Sequence, residues 1–152
     1  MSPPLADALL AYLHFISIFA TFGLLTAELV LCRGPLTQAQ ARYLGAIDIA
    51  YFAGAIAILA TGLLRLFFGA KGAAFYLHNP VFHTKMALFV LVGLISIAPT
   101  RRFIAWRKRL QATGGEIMAT EVKAAARFIH AELALMCAIP LMAVLMARGV
   151  GS

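Results

Sequence analysis

Four stretches of this chain are each apolar and long enough to cross a lipid bilayer, and that restricts the fold more than any other feature. They cover residues 9–32, 46–68, 81–98 and 128–147, and a crossing helix needs about 20 such residues. Hydrocarbon offers no water to backbone N–H and C=O groups, so each stretch must satisfy its own backbone and is predicted to be helical. The punctuation agrees. Gly34-Pro35 follows the first stretch, Gly69 and Gly72 the second, Pro99 the third, and Gly149 and Gly151 the fourth, while Gly114-Gly115 interrupts the longest connection. Pro80 suits the first position of a helix. The expected fold class is all-α: one domain over residues 1–152, an antiparallel bundle of four transmembrane helices.

Composition excludes the alternatives. Hydrophobic residues make up 62% of the chain and charged residues 12%, with a mean hydropathy of +0.90. A soluble domain carries about 45–50% apolar and about 25% charged residues, so neither an ordinary soluble enzyme nor a disordered chain fits. The first ten residues contain no Lys or Arg, unlike the basic start of a cleavable signal peptide, and the first stretch reads as a retained span. Cys32 ends one apolar run and Cys137 lies inside another, depths that do not suit a disulfide. There is no CxxC pair, and no CxxCH to attach haem covalently.

The net charge of +7 and pI near 10 come from an uneven distribution. Of 13 Lys and Arg residues, seven lie between positions 101 and 127: Arg101, Arg102, Arg107, Lys108, Arg109, Lys123 and Arg127. Cations gathered in one connection of an apolar chain mark a cytoplasmic loop rather than a nucleic-acid surface. With Arg33 and Arg42 that side holds nine cations, against Arg65, Lys71, Lys85 and Arg148 on the other. Both termini are therefore expected to be periplasmic, with a basic cytoplasmic loop over 99–127, in a multi-pass protein of the bacterial inner membrane. The third helix is expected to run on from Arg101 to Leu110, with Pro99 as a kink.

Ionisable residues inside spans are costly, about 2.5–3.5 kcal/mol for Arg, Lys or Asp at the helix centre, and this chain has several. Alternating helix direction sorts them by depth. His14, Arg65, His83 and Lys85 fall in the outer half, and Glu28, Asp48, His130 and Glu132 in the inner half. His14, Ser17, Thr21 and Glu28 are spaced by three, four and seven, one stripe of a helix. Asp48, Tyr51, Ala55, Gly62 and Arg65 form a second stripe, with small residues that permit close helix approach. His83 and Lys85 are two apart and point opposite ways, so one faces the bundle and the other an edge. His130 and Glu132 pose the same choice.

Two imidazoles on different helices at one depth suggest a haem held between helices. His14 and His83 are the expected axial pair for a b-type haem iron, with Met86 and His130 as alternatives to His83. Arg65 and Lys85 would neutralise the propionates. Glu28, Asp48 and Glu132 would relay protons, or Glu132 would form a structural salt bridge with Arg127.

The sequence Ala11-Tyr12-Leu13-His14-Phe15, then His83-Thr84-Lys85-Met86, then Arg127 with Glu132, resembles the HemJ-type protoporphyrinogen IX oxidases. These are small four-helix bacterial membrane proteins that bind b-type haem. The resemblance implies His14 as a haem ligand, Lys85 as a functional cation, and Arg127 and Glu132 as a pair. That family shows Asn-Glu where this chain reads His130-Ala131-Glu132. Glu28-Leu29, Pro35-Leu36-Thr37, Thr61-Gly62-Leu63-Leu64-Arg65, Tyr76-Leu77-His78-Asn79-Pro80 and Met146-Ala147-Arg148-Gly149 are similar to a set of uncharacterised bacterial membrane proteins of about this length. That likeness implies a family and no activity.

The leading expectation is a b-type haem protein in electron transfer, or a haem-dependent oxidoreductase of a small substrate, with quinone or a redox protein as partner and self-association as a further option. The alternatives are a permease for copper or another small solute, in which His14, His83 and Met86 would be transient ligands, and a non-catalytic partner subunit whose polar stripes fix helix packing.

Overall fold

The computed structural model describes residues 3–69 and 72–151; Lys71, counted above among the cations, lies outside the described residues. Helix α1 spans Pro3–Leu31, α2 Gln38–Phe68, α3 Gly72–Leu77, α4 Pro80–Thr113 and α5 Ala119–Ala147. Two short strands, β1 (Leu36–Thr37) and β2 (Glu116–Ile117), pair antiparallel, Leu36 opposite Ile117 and Thr37 opposite Glu116. This ladder fastens the α1–α2 connection to the α4–α5 connection at one end of the molecule, the loop end. The chain termini share the opposite end, where Asn79 Nδ2 donates to Val150 O at 3.2 Å.

Helices α1, α2, α4 and α5 are long and apolar enough to cross a membrane. With 29, 31, 34 and 29 residues they measure about 44, 47, 51 and 44 Å, against a hydrocarbon layer of about 30 Å. They therefore overrun it. Helix α1 packs along α2, α2 against α4, α4 along α5 and α5 against α1, which sets α1 and α4 across the diagonal.

Local sequence accounts for the boundaries. Thr37 caps α2 through a capping box with Gln40. Asn79 caps α4, its Oδ1 accepting from Val81 N at 2.9 Å, and Pro80 occupies the first turn. The third helix runs on past Pro99 and through Leu110, as expected, and ends at Thr113. Pro99 is buried inside α4, and the segment read as a loop over 99–127 is helical except for residues 114–118. Proline removes one backbone bond from the ladder. Yet Val92, Pro99, Phe103, Trp106 and Leu110 keep one buried face, and their burial favours continuing the helix. Gly114, at φ 67°, then ends it in a conformation glycine adopts without strain.

The core sits at the loop end. Leu25, Leu36, Leu44, Phe103, Leu110, Ile117 and Ile129 are essentially inaccessible there, with Trp106 and Cys32 beside them. Towards the termini burial is sparse. Along the middle, Phe19, Phe52 and Leu94 point outward, each more than 60% exposed. Side chains of that size and number require lipid around them. Accessible surface is 8948 Å² for 16.3 kDa, against about 7,500 Å² for a compact soluble chain of that mass, as expected of an elongated bundle packed tightly at one end only.

Candidate functional site

The bundle encloses two polar clusters. Towards the termini, His14 is 8% exposed on α1 and reaches across to α2, its Nδ1 lying 2.9 Å from Thr61 Oγ1. The Thr61 hydroxyl spends its one hydrogen on Ala57 O at 2.6 Å, with Ile58 O also in reach at 3.2 Å. The ring must therefore donate from Nδ1, which leaves the lone pair on Nε2. Gly62 lies close under the ring: a Cβ there would stand 3.3 Å from His14 Cε1, a tight contact. The charges of Lys85 on α4 and Arg65 on α2 both act on the ring, and on each other. The Arg65 guanidinium lies 5.7 Å from the centroid of Phe15, a cation–π distance, and its Nε is buried without a hydrogen-bond partner. Three of the four residues assigned to this cluster thus come together.

His83 does not join them. Lys85 is half-buried on the bundle side of α4. Two residues away, about 200° round the helix, His83 is exposed and its Nε2 lies 2.9 Å from Leu77 O. The alternatives fare no better. His130 is exposed on α5 with Nδ1 2.7 Å from Ala126 O, and Met86 follows Lys85 on α4, partly exposed. The side chains therefore do not fit a haem gripped by His14 and a second protein ligand, and among the described residues no group of three or more His, Cys, Asp and Glu is arranged to hold a metal ion.

The second cluster lies towards the loop end and draws on all four long helices. Glu28 of α1 is 1% exposed, Asp48 of α2 9% and Glu132 of α5 0%. Tyr51, one turn from Asp48, donates from its hydroxyl to Glu132 Oε2 at 3.1 Å. Thr100 of α4 donates to Asp48 Oδ1 at 2.8 Å. Glu28 feels the charges of both Asp48 and Glu132, so the three carboxyl groups form one electrostatic unit. Among the described residues no cation pairs with it, and Glu28 Oε1 and Glu132 Oε1 are buried without any hydrogen-bond partner. The expected Glu132–Arg127 pair is absent, because five positions along α5 turn the two about 140° apart, and Arg127 is exposed. Arg109 and Glu121 form an ion pair at 2.8 Å on the surface.

On α1, His14 and Glu28 are 14 residues apart, about 21 Å along the axis. Thr21, 2% exposed, lies between them, its Oγ1 donating to Ser17 O at 2.7 Å and packed against Gly54 of α2. Polar groups thus recur along the interior from one cluster to the other. Sequence reasoning missed Thr61 and Thr100. Thr100 follows Pro99 and was placed outside the span with it. Its signal is the register of Lys85, Val92, Pro99 and Trp106, seven apart, which carries one face of α4 through the proline.

Comparison with known proteins bears on the family alone. No curated protein and no solved structure matches this chain. A family model described as a predicted membrane protein matches residues 6–151, and gives no support to the HemJ likeness. That match spans all four long helices and both polar clusters: the chain belongs to the DUF2214 family of predicted membrane proteins.

Proposed function

We propose that this chain is a small multi-pass permease that couples proton movement to the passage of an anionic solute, with its loop end in the cytoplasm. The observation that carries this reading is the burial of Glu28, Asp48 and Glu132 on three helices towards the same end of the bundle, with two carboxyl oxygens unpartnered. A buried carboxyl without a counter-charge is costly, and three together are costlier. Intramembrane acids that persist in this way mark ion pathways and proton relays. Carboxyl groups on separate helices take up and pass on protons with little more than side-chain rotation.

The other cluster supports the anionic partner. Lys85 and Arg65 lie within electrostatic reach of His14 and of one another, and Arg65 Nε is without a hydrogen-bond partner. A carboxylate or phosphate group on a solute would separate the two cations, and a guanidinium binds such a group bidentately. The copper reading and the paired-ligand haem reading both need a second ligand beside His14, and neither His83 nor His130 turns toward it.

The test is proton entry into vesicles. Purified protein is reconstituted into liposomes enclosing a pH-sensitive dye, and nitrate, inorganic phosphate or succinate is added outside at fixed pH. The expected result is protein-dependent acidification of the lumen with at least one of the three. It should slow at least tenfold in Glu132→Gln and Glu28→Gln, whose helical circular dichroism should be unchanged. Traces indistinguishable from protein-free vesicles with all three anions would remove the proposal.

A further inference from the structure

A groove of about 540 Å³ runs along the outer face of α4 and α5, lined by Ile95, Arg102, Ala124, Arg127, Phe128 and Ala131. Its two ends differ in chemistry. At one end stand two guanidinium groups. Arg102 is held in place, with Nη1 donating to Ala124 O at 3.0 Å and its guanidinium carbon 4.9 Å from the centroid of Phe128. Arg127 is exposed, and among the described residues it has no ion pair or hydrogen bond. No acidic residue lines the groove. Phe128 lies beside the Arg102 guanidinium, and beyond it the lining is Ile95 and Ala131, wholly apolar.

The depth of these residues orients the groove. Arg102 and Arg127 sit where the apolar runs 81–98 and 128–147 give way to the basic segment, which is the membrane boundary. Ile95 is seven residues before Arg102 on α4, and Ala131 seven after Ala124 on α5. The apolar end therefore reaches about 10 Å deeper into the hydrocarbon. The groove faces outward, away from both buried clusters.

We infer that this groove binds an anionic phospholipid of the surrounding leaflet, its phosphate between Arg102 and Arg127 and one acyl chain along Ile95, Phe128 and Ala131. Two cations without a counter-charge favour an anionic headgroup over a zwitterionic one, and guanidinium groups match phosphate in shape as well as charge. Basic pockets between transmembrane helices are a recurrent way of holding such headgroups. The apolar floor selects a lipid over a soluble phosphate, which would leave that floor empty. This inference is independent of the proposed transport.

Native mass spectrometry of the full-length protein in detergent, with equimolar dioleoyl phosphatidylglycerol and dioleoyl phosphatidylcholine, tests it. The expected result is at least a fivefold preference for the phosphatidylglycerol adduct. That preference should fall at least threefold in Arg127→Gln and vanish in the Arg102→Gln/Arg127→Gln pair. Arg33→Gln/Arg42→Gln, at the same end of the molecule but off the groove, should retain it. Arg127 makes no contact that folding needs, so the single variant decides the matter if the double variant does not fold. A preference unchanged in Arg127→Gln, or lost equally in Arg33→Gln/Arg42→Gln, overturns the inference. So does displacement of the lipid by an equal concentration of glycerol 3-phosphate, which would mark a site for the free anion.

Discussion

Thr21 and Gly54 show how closely two helices approach in this bundle. A Cβ on Gly54 would collide with Thr21 Oγ1, and the hydroxyl would have to rotate away from Ser17 O, its acceptor at 2.7 Å. Gly54→Ala is therefore expected to destabilise the protein by about 1–3 kcal/mol, the usual cost of overpacking, in thermal unfolding followed in detergent micelles. Thr21→Ala removes the obstructing oxygen, so the double variant should regain most of that loss. Simple addition of the two single effects would show that the contact does not limit the helix approach. At this scale the sequence was legible wherever spacing alone decides direction: His14, Thr21 and Glu28 share one face of α1, and Asp48 and Tyr51 one face of α2, as their intervals require. It was not legible for residues two apart. Period 3.6 says that His83 and Lys85, or His130 and Glu132, diverge, but not which one turns inward. The neighbours decide. Tyr51 offers Glu132 a hydroxyl, whereas His83 and His130 find carbonyl groups close to them in the chain, Leu77 O and Ala126 O. A haem pair that needed His83 inward rested on the half of that choice the packing did not take.

The long helices were visible as apolar runs, but their ends were set by features other than hydropathy. Helix α2 begins eight residues before its apolar run, at Gln38, because Thr37 and Gln40 close a capping box there: Gln40 Oε1 accepts from Thr37 N at 2.9 Å and Thr37 Oγ1 from Gln40 N at 3.3 Å. Thr37 is also half of the β1–β2 ladder, so this cap fixes the angle at which α2 leaves the loop end. Thr37→Ala is expected to lower stability by about 0.5–2 kcal/mol, read as a lower thermal midpoint, with helical content nearly unchanged. Thr37→Ser should stay near wild type. Equal losses in the two variants would mean that the methyl group, not the hydroxyl, matters. Helix α4 shows the converse. Pro99 follows the end of the apolar run in sequence, and the helix continues past it as expected because the apolar face resumes at Phe103, Trp106 and Leu110. Hydropathy alone does not show this face, because Arg101 and Arg102 precede Phe103, and Arg107, Lys108 and Arg109 lie between Trp106 and Leu110.

At the scale of the whole molecule the open question is direction, and charge gives the argument. The loop end carries Arg33, Arg42 and the seven cations between positions 101 and 127, nine of 13 Lys and Arg residues. Arg65 and Lys85, assigned to the opposite half, are drawn into a buried cluster rather than displayed near a surface, which sharpens the asymmetry that orients a chain during insertion. The loop end is accordingly expected in the cytoplasm. Met118→Cys places a thiol at an exposed position there, and Val150→Cys does so at the termini. The native thiols provide a quiet background: Cys32 is buried, and Cys137, though exposed, lies in the middle of the apolar run of α5, where a charged reagent does not reach. A membrane-impermeant maleimide added to intact cells should label Val150→Cys at once and Met118→Cys only after permeabilisation. The reverse pattern would put the Glu28, Asp48 and Glu132 cluster nearer the outer face, and with it the direction in which a proton would have to travel.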